Sequence, residues 1–99
     1  MFVNEYLPQF TAQDYDAFRR IAPSVFLFDT FNGWEWDAMK SDADLRRSGH
    51  IVVRVKVNVD EFTRYCDASG HPRNADSLLR LVREKGERNE DCVPPVIPY

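Results

Sequence analysis

The stretch HIVVRVKV, His50 to Val57, settles its own conformation and makes a demand on the rest of the chain. Ile51, Val53, Val55 and Val57 project to one side of an extended backbone, and Val52, Arg54 and Lys56 to the other. Branched side chains at nearly every position favour a strand. A strand needs a partner, and this one needs cover for its apolar side. A two-stranded sheet standing alone is marginal in water. Everything else in the sequence is therefore read for what could pair with this strand and what could cover it.

The clearest partner candidate is SVFLF, Ser24 to Phe28, a short apolar run that reads as a strand buried on both sides. Helices account for most of the remainder. Thr11 caps a first helix in which Tyr15, Phe18 and Ala22 share a face, with Ile21 beside it and Pro23 as the stop. Asn58 opens another. Glu61 stands at the capping-box position, Val57 and Phe62 form a staple, Val59, Phe62 and Cys66 lie on one face, and Gly70 stops it. Asn74 caps a last helix carrying Leu78, Leu79, Leu81 and Val82, which the sequence ends at Gly86.

Between the two strands lies FNGWEWDAM, with two tryptophans one residue apart. Asn32-Gly33 after an apolar run is a hairpin signal, and as strand residues Trp34 and Trp36 would face the same side. As a helix capped by Thr30 or Asp29, the segment gathers Phe31, Trp34, Ala38 and Leu45 into one stripe. Trp36 then falls well away from that stripe, near Met39 and Ala43. The helical character of DAMKSDADLRRSG favours the second reading.

The order FDTF..W, then SGHIVVRV, then VNVDEFTRYCDASG, is similar to a pattern in small uncharacterised proteins of proteobacterial and mobile-element origin, over Phe28 to Gly70. That resemblance implies a helix for the tryptophan segment, and it brings no activity and no catalytic residue. A mobile-element origin would imply an inhibitor of a host system.

The expected fold is a small single α/β (α+β) domain over residues 1–86, in the order helix-strand-helix-strand-helix-helix. Its small sheet is completed either by the Pro-rich C-terminal tail, 87–99, or by dimerisation through the Ile51–Val57 edge. With 99 residues, 43% of them hydrophobic, the chain can build a core without staples. Two cysteines are too few for a disulfide scaffold and fit a reducing compartment. The N-terminus has no basic region followed by an apolar run, and no stretch approaches the length of a membrane span, so a cytoplasmic protein is expected.

Little in the sequence points to catalysis. Cys66, Asp67 and His71 are close in sequence, but Cys66 lies on an apolar helix face where burial raises a thiol's pKa, the reverse of what a nucleophile needs. Cys66, His71, Cys92 and His50 match no zinc spacing, so neither metal nor cofactor is expected. There is no Gly-rich phosphate loop and no H-E-x-x-H. The acids Asp29, Glu35, Asp37, Asp42 and Asp44, relieved only by Lys40, make either a solvated face or a patch for a basic partner.

The expected function is non-catalytic binding of another protein, as an inhibitor or adaptor, with Trp36, Met39, Glu35, Asp37 and Asp44 as contact residues. The alternative is a nucleic-acid-binding regulator built on the helix-turn-helix-like pair at 59–86, with Arg73, Arg80, Arg83 and Lys85 reaching the phosphates. The net charge of −3 and the long, Pro-containing turn weigh against it.

Overall fold

A computed structural model describes residues 3–22, 28 and 30–93. The helix stop expected at Pro23, the tail beyond Val93 and all of the expected strand Ser24–Phe28 except Phe28 lie outside them. Phe28 itself is not in a strand.

The chain forms a small α+β domain in the order β1 (Asn4–Gln9), α1 (Ala12–Ile21), α2 (Phe31–Arg47), β2 (Ile51–Lys56), α3 (Val59–Ser69) and α4 (Ala75–Glu87). The expected strand at 51–57 is β2, but the strand that pairs with it is β1, at the N-terminus. β1 and β2 are parallel, in register from Asn4 opposite Ile51 to Gln9 opposite Lys56. Parallel neighbours need a long crossover, and α1 and α2 supply it.

Nothing in NEYLPQ announces a strand. It holds no β-branched residue, and Pro8 cannot donate to a ladder. The register explains why Pro8 is tolerated. Ile51 N–H bonds to Val3 C=O and Val57 N–H to Gln9 C=O, so the odd-numbered residues of β1 face β2. Alternation then turns the main-chain groups of Asn4, Tyr6 and Pro8 to the outer edge, where a missing N–H breaks no bond.

The far edge of β2 is closed by the C-terminal stretch. Lys56 N–H bonds to Asp91 C=O, Val93 N–H to Arg54 C=O, and Val55 and Cys92 form an antiparallel bridge. The tail thus completes the sheet in part, and the globular unit runs past residue 86. The β2 edge expected to pair with a second copy is taken by β1 on one side and, from Arg54 to Lys56, by residues 91–93 on the other.

Helices lie on both faces of this sheet. Tyr6 lies against α4, where its ring occupies the space a side chain at Gly86 would need. Gly86 is therefore an interior residue of α4 and not its stop, because only a residue without Cβ lets the helix come this close. On the opposite face Arg54 reaches α2, donating to Ala38 C=O at 2.8 Å and approaching Asp42 at 3.5 Å.

The core gathers Phe10, Tyr15, Phe18, Val55, Val57, Phe62, Cys66, Leu78, Leu81 and Val82. Phe10 anchors its aromatic part, with ring centroids 4.9 Å from Phe18 and 5.0 Å from Trp34. The expected caps form. Thr11 accepts from Asp14 N–H, Thr30 from Gly33 N–H and Asn74 from Ser77 N–H, while Asn58 and Glu61 close a capping box. Gly70 ends α3 in the left-handed conformation.

Candidate binding surface

FNGWEWDAM is helical, as the first turns of α2, with Thr30 as its cap. Phe31, Trp34, Ala38 and Leu45 face inward and are half-buried. None of the 17 residues of α2 is fully buried, so the helix lies on the body without sinking into it. Two attachments hold it. Phe31 and Trp34 rest on Tyr15, with Trp34 also against Phe10. Arg54 bonds to Ala38 C=O, to Pro8 C=O at 3.3 Å and to Asp42, and Asp42 also pairs with Arg46. Burial pulls the Arg54 guanidinium below its ordinary pKa, against the Asp42 carboxylate, which favours the charged form.

Opposite this inner stripe stand Trp36, 69% exposed, and Met39, 60% exposed. They are one turn apart and continue into Ala43, another exposed residue. Glu35 and Asp37 flank the strip, exposed to solvent. Asp44, also exposed, is paired with Arg47 at 3.3 Å. The five residues expected to form a contact surface therefore do share the outward side of α2. The acidic run is less acidic than its sequence, because Asp42 is turned in to Arg54 and Asp44 is neutralised by Arg47.

The residues of the nucleic-acid alternative do not form one face. Lys85, expected to reach a phosphate, is 2% exposed. Its ammonium bonds to Glu61 at 2.7 Å, Asp91 at 2.9 Å and Lys56 C=O at 2.6 Å, which uses all three of its hydrogens. Burial alone would lower its pKa, but the Glu61 and Asp91 carboxylates outweigh that and raise it. In return Lys85 holds the Asp91 carboxyl below its usual value. Arg73 approaches Asp67 at 3.5 Å in the α3–α4 turn. Only Arg80 and Arg83 remain exposed and without an ion pair among the described residues.

Lys85 was legible in the sequence only as one more charge on an amphipathic helix. Its position beside Leu81 and Val82, on the apolar side of α4, was the available signal.

The cysteine constellation has the character its helix face implied. Cys66 is buried, its Sγ 3.7 Å from Pro72 C=O, and burial pushes the thiol up. His71 lies against Tyr65, with ring centroids 5.7 Å apart. Among the described residues no three His, Cys, Asp or Glu side chains converge as metal ligands, and no helix is long and apolar enough to cross a membrane.

No family model, curated protein or solved structure matches the chain.

Proposed function

We propose that this chain is a non-catalytic binding protein that docks another protein on the outward face of α2, acting as an inhibitor or an adaptor. One observation carries the reading. The largest exposed apolar side chains of the helix, Trp36 and Met39, stand together on the side that takes no part in the fold. A covered tryptophan removes about 150–250 Å² from water. At about 25 cal/mol per Å², covering what Trp36 leaves exposed is worth roughly 4 kcal/mol before the costs of association. Tryptophan at the centre of a desolvated contact, with charged neighbours at the rim, is the usual composition of a binding hot spot. Here Glu35, Asp37, Lys40 and Arg47 provide the rim.

The test pairs a stability measurement with capture from a host lysate. Trp36→Ala should melt within a few degrees of the parent, because the indole is mostly in water. The same substitution should weaken capture of a stoichiometric, nuclease-resistant partner by about 2 kcal/mol or more. Marked unfolding of the variant, or undiminished capture, overturns the reading.

A further inference from the structure

A second surface lies on the other side of the sheet. β1 is paired on one edge only, and its outer edge runs beside the first half of α4. Between them is a groove of about 650 Å³, walled by Asn4–Leu7 on one side and by Leu79, Arg80 and Arg83 on the other. We infer that this groove binds an extended acidic segment of another protein, which joins the open edge of β1 as an added strand.

Three features converge on that occupant. The first is the edge itself. Asn4 and Tyr6 each turn an N–H and a C=O outward, and among the described residues no strand takes them. An extended chain satisfies such groups through its own main chain. Pro8, lacking an N–H, ends the ladder, so the added strand is short.

The second feature is the helix wall. Leu79 is 46% exposed although it follows the buried Leu78, so it offers an apolar contact within the groove. The third is charge. Arg80 and Arg83 stand one turn apart, exposed and free of ion pairs among the described residues. The nearby acids are engaged elsewhere or held off. Glu5 faces His50 at 3.9 Å, and Glu84 lies beside Tyr65, whose phenol is pushed up to about 12 by burial and then by that carboxylate. Asp76 sits in the first turn of α4, where the helix dipole favours it. Two unpaired guanidiniums on one wall select carboxylates.

A second copy fits less well. Antiparallel β1–β1 pairing sets Pro8 against Asn4 and places both α4 helices on one face, bringing arginines toward arginines. A nucleic acid could use Arg80 and Arg83 but leaves the main-chain groups of Asn4 and Tyr6 unanswered. The groove is separate from the outward face of α2, which lies on the opposite side of the sheet.

The probe is an acetylated, amidated hexapeptide, Glu-Thr-Val-Thr-Glu-Thr, titrated into the full ¹⁵N-labelled chain. Its alternate Glu, Val and Glu side chains can meet Arg80, Leu79 and Arg83 together. Expected are amide shifts confined to Asn4–Leu7 and the facing turns of α4, with slowed hydrogen exchange at Asn4 and Tyr6. Arg80→Glu with Arg83→Glu should weaken binding by about tenfold or more without changing Tm. The peptide with Lys in place of Glu should bind as weakly, and so should one N-methylated at alternate amides. Equal binding by either control overturns the proposal, as do shifts on α2 in place of β1. Binding of oligo-dT at Arg80 and Arg83 with no response to the peptide overturns it in favour of nucleic acid. A dimer that dissociates on Tyr6→Pro overturns it in favour of a second copy.

Discussion

Replacing Lys85 by methionine removes one charge from the interior and little else. The two side chains have similar length and volume, so packing against Leu81 and Val82 is kept. What is lost is a set of three bonds, to Glu61, Asp91 and Lys56 C=O. The two carboxylates are not stranded by the change. Glu61 keeps its bond from Asn58 N–H and is partly open to water, and Asp91 is exposed. Rehydration returns much of their energy, which places the cost below the ~3–5 kcal/mol of breaking a fully buried pair. The Lys56 carbonyl has no such recourse without movement, and an orphaned acceptor costs about 1–3 kcal/mol. A loss of about 2 kcal/mol is expected, or roughly 10 °C in Tm for a domain of this size. Urea unfolding followed by circular dichroism at 222 nm measures it. Asp91→Asn in both backgrounds isolates the Lys85–Asp91 coupling, expected to be favourable. A Lys85→Met protein as stable as the parent would refute the reasoning, showing that desolvation cancels all three bonds.

Three further outcomes follow from the same packing. Gly86→Ala should cost about 1–3 kcal/mol despite alanine's better helix propensity, because a methyl group there meets the Tyr6 ring; Tyr6→Ala in the same chain should recover part of the loss. Arg54→Met should loosen α2 before the rest of the domain, so that amides of Ala38–Arg47 exchange faster in native-state hydrogen exchange while those of α3 and α4 are unchanged. Stability should be greatest between about pH 5 and pH 10. The Asp91 carboxyl is depressed in the fold, so its contribution is complete above the unfolded carboxylate value near 3.9 and is lost as pH falls through the folded one. Lys85 is raised, so its contribution is complete below about 10.4 and is lost as pH climbs through its folded value. Tyr65, raised to about 12, adds to the same alkaline limb. Lys85→Met should therefore flatten the acid limb and leave only the Tyr65 part of the alkaline one.

Local chemistry carried the sequence reading wherever a residue acts on neighbours within one turn. The caps at Thr11, Asn58 and Asn74 and the stop at Gly70 were legible because each bond spans a few residues. So was the helical stripe Phe31–Trp34–Ala38–Leu45, and with it the outward direction of Trp36. What escaped depends on distant partners. NEYLPQ is a strand because β2 lies beside it, not because of its own propensities, which Pro8 contradicts. Gly86 reads as a stop until Tyr6 is known to lie against it. Lys85 reads as a surface charge until Glu61 and Asp91 arrive from α3 and from beyond α4. The α2 contact surface was legible as residues but not as charge, since the turning of Asp42 toward Arg54 is a tertiary event. Leu79 and the arginines at 80 and 83 were visible, yet only the unlooked-for strand β1 makes a groove of them.

The central position of β2 also sets when this protein can come into being. Asn4 finds its partner only at Ile51, and Val55 finds its second neighbour only at Cys92. Neither pairing is local, and closing such loops precedes any gain from the contacts they make. On a ribosome adding about 5–20 residues per second, α1 and α2 emerge with no strand to crossover toward. β2 then waits for the last part of the chain, and so does Lys85 for Asp91. The domain is completed from its end backward, so a chain halted before residue 91 would present an open β2 edge and a buried cation short of one carboxylate.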